Sequence, residues 1–320
     1  MAEILFDTVP SLDLADFTHG TPEQKSLFVS KLGEAYSNIG FVSIKNHGLS
    51  DELTANLYKS VESFFRLSDD TKKKYEKPEL AGQRGYISKG KEKAKGRNTG
   101  DLKEFFHVGQ PTDNARPDYP DNIWPSEAQD LKEYTSEAFN TLLQTGIHML
   151  RAIALFLELP ENYFDDKVKQ GNSILRPIHY FPIEDPDSLP LDAVRAAEHG
   201  DINLITLLMG ASADGLQVLR KDGKWIPITA LPDQIVVNVG DMLERHSNSK
   251  LKSTIHRVVN PPRELMHTSR FSIPFFLHPV SEMDLTCLDN CVDLAHPKSF
   301  EDISAGEFLD QRLQEIGLKK

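Results

Sequence analysis

Three residues have the types and spacing to hold a metal ion: His199 and Asp201 in EHGDINLIT, and His256 in STIHRVV, 55 positions beyond the aspartate. Successive side chains of a β-strand point to opposite faces, so residues two apart share one. If EHGDINLIT is a strand, His199 and Asp201 grip one ion together. His256, from a second strand, then completes two histidines and one carboxylate on one side of it. Such a set leaves the remaining coordination positions open, the arrangement of a non-haem Fe(II) centre. His-x-Asp alone carries little weight in a chain with eleven histidines, where a surface ion pair is the plain alternative. Its place at the head of a β-rich run, with a second histidine and an Arg-x-Ser beyond, gives it weight. His246 in MLERHSNSKLKS is the rival third ligand, set aside because its polar surroundings read as a turn.

Arg270 and Ser272 in SRFSIPFF also lie two apart, while Phe271, Ile273, Phe275 and Leu277 alternate onto the opposite, core face. An arginine directed into a barrel needs an anion, because an unpaired buried guanidinium is costly. Its planar fork suits a carboxylate, and a serine hydroxyl adds one bond. A structural salt bridge is one reading of the pair. The other is a site for the far carboxylate of a 2-oxo acid chelated to the ion.

The elements that must position these residues fall into two textures. Thr21-Pro22-Glu23-Gln24 is a helix start with a capping box and proline at the first helical position. Gly40 ends that helix, FVSIKNHG reads as a buried strand, and Ser50 opens a second helix. A long helical pattern runs from about Ser126 to Leu159 and stops at Pro160. After Gly171 come short β-rich runs: SILRPIHYF, INLITLLM, LQVLR, WIPI, QIVVNVG, TIHRVVN and RFSIPFFL. Their spacing predicts a mainly β fold with flanking α: a jelly-roll, cupin-like core with an N-terminal helical region. The boundaries expected are 1–125 for the helical and strand region, 126–170 for the supporting helix and 171–280 for the β core. The remainder, 281–320, is an extension with a helix from Phe300 to Ile316, and the whole is expected to form one unit.

Composition narrows the function. Lysine and arginine number 36 against 48 acidic residues, a net charge of −12 with a pI near 5.4, which argues against nucleic acid as a partner. No apolar run approaches the roughly 20 residues needed to span a bilayer, and the acidic N-terminus does not read as a secretory signal. Two cysteines, Cys287 and Cys291, point to a reducing compartment, the cytoplasm. The basic stretch Lys89 to Arg97 reads either as a solvated hairpin or as a loop attracting an anionic substrate.

Taken with GFVSIKNHG, GYISKGKE, DLKEFFHVG, LRPIHYFP, GLQVL, VVNVGDMLERHSN and SRFSIPFFLHP, in order along almost the whole chain, these motifs resemble the isopenicillin N synthase-like family of Fe(II)/2-oxoglutarate-dependent dioxygenases. The resemblance implies a double-stranded β-helix, Fe(II) on His199, Asp201 and His256, and 2-oxoglutarate anchored by Arg270 and Ser272. With O2 as the third reactant, it implies succinate, CO2 and an oxidised substrate, by hydroxylation ahead of desaturation or cyclisation. Many relatives end the strand before the metal motif in Asn-x-Tyr-Pro. Here His179-Tyr180-Phe181-Pro182 puts His179 in the asparagine position as a further co-substrate contact and leaves Phe181 without a hydrogen bond to give. An aromatic is usual where His246 stands, which reads as a residue near the rim. Related halogenases carry glycine or alanine in place of Asp201, so the carboxylate points to oxygenation.

Candidates for the substrate are Gln83, Arg84 and Tyr86 of GQRGY, with Phe106 and Tyr180; loop packing is the alternative for each. Arg176, alternating away from His179 and Phe181, is either structural or a site residue. The substrate is expected to be a small polar or anionic molecule, and the chain a monomer or weak homo-oligomer. Two other readings stay open at this point: a 2-oxoglutarate-independent oxidase or cyclase of the isopenicillin N synthase type, and a non-catalytic metal-binding sensor.

Overall fold

The computed structural model describes residues 5–92, 100–111, 118–190, 193–210, 215–229, 231 and 233–315. Strand β1 (Ser11–Asp13) leads into helices α1 (Leu14–Thr18) and α2 (Pro22–Asn38). The capping box forms as its sequence predicts: Thr21 Oγ1 accepts from the Gln24 N–H, and Gln24 Oε1 accepts from the Thr21 N–H. Then follow β2 (Phe41–Lys45), α3 (Asp51–Phe65, capped by Ser50), α4 (Asp69–Lys73), β3 (Gly85–Ile87), β4 (Glu104–Gly109), α5 (Gln129–Phe156) and α6 (Asp165–Val168). The β-rich half comprises β5 (Ile174–Leu175), β6 (Ile178–Tyr180), β7 (Ala196–His199), β8 (Ile205–Met209), β9 (Leu216–Leu219), β10 (Trp225–Pro227) and β11 (Ile235–Val239). It continues through α7 (Asp241–His246), β12 (His256–Val258) and β13 (Arg270–Leu277), and α8 (Ala305–Glu315) follows.

The strands form two sheets. The larger runs β1-β2-β11-β8-β13-β5-β4-β3, with β6 pairing both β13 and β4; the smaller runs β10-β9-β12-β7. Their inner faces meet in an apolar layer that includes Ile178, Tyr180 and Val236 from one sheet and Leu216, Val218 and Val258 from the other. This is the double-stranded β-helix. Helix α5 lies against the outer face of the larger sheet, where Phe139 meets Phe275 edge-to-face at 4.9 Å. At Gly146 of α5 a Cβ would stand 3.0 Å from Leu277, so the missing side chain lets helix and sheet close up.

Two expectations about elements are corrected. EHGDINLIT is not one strand: β7 ends at His199, and the chain crosses to the other sheet before β8 begins at Ile205. The last helix begins at Ala305, five residues later than expected, because Ser304 and Glu307 form its cap; residue 316 lies outside the described residues. So do 93–99 of the basic stretch. At its start, Lys89 and Lys91 pair with Asp69 and Glu76.

A buried ion cluster ties the outer helices to the sheet edge. Glu104 of β4 accepts from Lys72 of α4, Tyr86 of β3 and His179 of β6. Burial alone would raise its carboxyl, and these three donors hold it low instead. Replacing Glu104 with Ala removes the buried counter-charge of Lys72, leaving it the exposed Asp69 and the Phe65 carbonyl. The expected loss is about 3 kcal/mol of unfolding free energy, measured by urea denaturation, with a smaller loss for Glu104→Gln.

Candidate active site

His199 closes β7 and His256 opens β12, and the antiparallel register sets them directly opposite each other. Their ring centroids are 4.4 Å apart. His199 Nδ1 is 2.7 Å from the Ala197 carbonyl and His256 Nδ1 is 3.2 Å from that of Thr254. A carbonyl only accepts, so each Nδ1 carries the hydrogen and each Nε2 keeps its lone pair for a ligand.

Asp201 reaches the same point from the crossing between sheets. Its backbone oxygen accepts from the Asp241 N–H at 2.7 Å, which fastens the turn to the start of α7. Its Oδ2 accepts from Thr206 at 2.6 Å and Asn238 at 2.8 Å. That leaves Oδ1 facing His256 Nε2 at 3.7 Å and His199 Nε2 at 4.0 Å. All three ligand atoms lie within 4.8 Å of one another. Burial would raise the Asp201 carboxyl, but the two histidines and its two hydrogen bonds bring it below the usual range. Burial, and then His256, push His199 down. An ionised carboxylate and a neutral imidazole are the forms that bind a metal without first losing a proton. The donor set therefore fits a facially ligated Fe(II).

A cavity of about 310 Å³ opens beside His199 and Asp201. One wall is a chain of buried charge: Asp101 pairs Lys103, Lys103 pairs Glu92, and Glu92 pairs Arg176. Burial opposes both charges, yet Arg176 and Lys103 hold Glu92 far below its usual range, and Glu92 and Asp101 raise Lys103. Arg176 lies between the rings of Phe105 and Phe276, 4.4 and 4.9 Å from their centroids. Its Nε donates to His107 Nε2, since His107 Nδ1 donates to the Gly82 carbonyl. Leu309, Arg312 and Leu313 of α8 form another side.

The chain matches the model of the 2OG-Fe(II) oxygenase superfamily over residues 171–279, and that of the non-haem dioxygenase in morphine synthesis N-terminal region over 9–127. It is 32% identical to the 2-oxoglutarate-Fe(II) type oxidoreductase ppzD of Metarhizium majus, across 98% of this chain and 96% of that one. The chain belongs to the 2OG-Fe(II) oxygenase superfamily. Among solved structures, a 2OG-Fe(II) oxygenase family protein from Caulobacter crescentus is 40% identical with a TM-score of 0.86, covering 96% of this chain and 99% of that one. A full-length protein of Neurospora crassa, in complex with alpha-KG and thymine, is 30% identical with a TM-score of 0.84, covering 96% of each. The protein is a non-haem Fe(II)- and 2-oxoglutarate-dependent dioxygenase. In the described residues of this oxygenase no helix is long and apolar enough to cross a membrane.

The oxygenase brings some expected residues together and separates others. Arg270 and Ser272 are buried, and across the β6–β13 pairing they stand opposite Tyr180 and Ile178. Residues paired in this way share a face, so Tyr180 joins Arg270, whose guanidinium carbon is 4.8 Å from the Tyr180 ring. His179 does not: it is opposite Phe271, stacks on it at 4.8 Å, and bonds Glu104 and Ser269 on the outer face. The asparagine-like placement of His179 was one residue out of phase, and Ile178 occupies the inward position.

Gln83 lines the cavity, but Arg84, Tyr86 and Phe106 do not. Arg84 lies flat on Gly109, where a Cβ would fall 1.9 Å from its guanidinium carbon. Tyr86 is spent on Glu104, and Phe106 packs with Phe64 in the core under the sheet. His246 bonds Tyr163 and the Thr286 carbonyl and is a packing residue of α7. Lys103, Glu92, His278 and the α8 side chains were not singled out from sequence. Glu92, Lys103 and His278 lie outside the strands, where alternation says nothing of direction, and α8 carries no local sign of where it docks. Thr206→Val or Asn238→Leu removes one brace from Asp201. Each is expected to weaken Fe(II) binding by about 10- to 100-fold in anaerobic metal titration, with the circular dichroism spectrum unchanged.

Proposed function

We propose that His199, Asp201 and His256 hold the iron, that Arg270 and Ser272 hold the far carboxylate of 2-oxoglutarate, and that the cavity takes a small polar molecule for hydroxylation. When bound, the iron would activate O2 with two electrons drawn from 2-oxoglutarate, one oxygen atom going to succinate as CO2 leaves and the other to the substrate. The chain supplies position. Thr206 and Asn238 hold one oxygen of Asp201, which keeps the other aimed at the ion. The carbonyls of Ala197 and Thr254 orient the imidazoles. Arg270 and Ser272 offer a fork and a hydroxyl on one inward face, matched to a carboxylate.

The buried wall of alternating charge is the observation that carries the substrate reading. It offers donors and acceptors side by side, with Phe276 as an apolar plate next to them. Among the described lining residues, four carboxylates outside the proposed metal set (Glu92, Asp101, Glu198, Glu315) stand against three cations (Lys103, Arg176, Arg312). That near-balance favours an uncharged or zwitterionic substrate over the anionic one of the sequence reading. The thymine in the Neurospora crassa complex, a small polar ring, supports the same class.

The test is a panel of uncharged heterocycles, amino acids and simple carboxylates, supplied with Fe(II), 2-oxoglutarate and air. We expect succinate in step with a product one oxygen atom heavier, from a member of the first two groups. Turnover confined to the simple carboxylates would sink the substrate class. Asp201→Ala should abolish turnover, and wild-type rates in that variant would refute the ligand set. Arg176→Gln should raise KM for the substrate about tenfold or more, the loss of one charge-assisted contact, and leave 2-oxoglutarate binding unchanged.

A further inference from the structure

Arg195 stands immediately before β7 and, by strand alternation, shares its inward face with Ala197 and His199. It is 1% exposed. Its Nη2 donates to the Thr268 carbonyl at 3.1 Å, and its Nε is buried with no hydrogen-bond partner. The Tyr180 ring lies 5.9 Å from its guanidinium carbon and 4.8 Å from that of Arg270, so both arginines border one aromatic on the barrel's inner face. Burial, and then Arg270, push its guanidinium down to about 10, and no carboxylate among the described residues acts on it.

A buried guanidinium in that position destabilises the fold unless an anion reaches it. Arg84 makes the contrast. It is equally buried and its Nε likewise lacks a partner, but both its terminal nitrogens donate, to the Gln83 carbonyl and to Asn172, and its plane is packed on Gly109. Arg195 has one such bond and a second cation for a neighbour.

We propose that Arg195 is a second guanidinium of the 2-oxoglutarate site, acting with Arg270 on the far carboxylate of the co-substrate. The proposal rests on the placement of that carboxylate at Arg270 and Ser272 argued above. Two cations at one end of the site require a full negative charge there. The site therefore rejects 2-oxo acids that end in a methyl group, and much of that rejection comes from Arg195. The stretch RAAEHGD then joins a co-substrate residue and two metal ligands, with Arg195, Ala197 and His199 at a period of two.

The experiment uses the Fe(II)-loaded full-length enzyme without oxygen, with calorimetric titration of 2-oxoglutarate and of 2-oxobutyrate, which lacks the second carboxylate. Arg195→Met should weaken 2-oxoglutarate at least tenfold and leave 2-oxobutyrate unchanged, with part of the loss recovered in Arg195→Lys. The ligand-free Arg195→Met protein should melt at or above the wild-type temperature, because a poorly compensated buried cation has been removed. A structural arginine would do the reverse: a lower melting temperature with the ratio of the two affinities unchanged, which overturns the proposal. Arg270→Met separates the two levels of inference. If it loses 2-oxoglutarate while Arg195→Met keeps it, only the second guanidinium fails; if Arg270→Met binds as wild type, the underlying placement fails.

Discussion

The antiparallel pairing of β7 with β12 is the constraint on which the rest depends. It sets His199 against His256 with their rings 4.4 Å apart, and a slip of one residue would turn an imidazole to the other face of the sheet. Four residues and three cannot hold that register alone. β9 holds β12 from its other side, through pairing of Val218 with His256 and Leu216 with Val258. The turn after His199 is clamped by the Asp241 N–H, and there is little room to loosen it. A Cβ at Gly200 would stand 3.1 Å from the Asp241 carboxylate, and one at Gly240 would lie 2.2 Å from the Asn203 carbonyl.

The cavity next to that pairing shows the energetic cost of a polar site inside a barrel. Glu92 and Lys103 are each opposed by burial, and they stay charged because they pair with one another, with Arg176 on Glu92 and Asp101 on Lys103. Such a chain is weak evidence for stability, since an apolar wall of equal volume would serve the fold as well or better. Its use is to present fixed dipoles and charges that need no rearrangement when a polar molecule arrives. The same arrangement explains why the last helix matters. α8 is held at its start by backbone bonds from Ala305 and Gly306 to the 281–283 segment, and near its end by Arg312 on Asp241. Asp241 is also the residue whose backbone N–H clamps the turn at Asp201, so its main chain holds that turn while its carboxylate holds α8.

Local features were legible because local physics decides them. The Thr21–Gln24 box, the Ser50 cap and the inward alternation of Arg270 and Ser272 each depend on residues within a few positions of one another. The proposed metal ligands were legible for a different reason. His199, Asp201 and His256 were identified on the assumption of a continuous strand, yet Asp201 lies beyond the end of β7 and reaches the site through the crossing between sheets. Residue type, more than geometry, carried that reading. Alternation failed where its phase was taken from a pattern and not from a neighbour: His179 and Tyr180 exchange faces once β6 is paired with β13.

By itself the sequence determined the proposed donor set, the β-rich core and its helical flank, and the presence of an inward arginine. These follow from side-chain chemistry and short-range periodicity. Tertiary structure alone decided which faces met. It brought Arg195 beside Arg270, laid Arg84 on Gly109, linked Asp101, Lys103, Glu92 and Arg176 into one wall, and turned α8 onto the cavity. A period of two states which residues share a face but not which face is inward. That choice is made by strand pairing and packing between segments far apart in the chain.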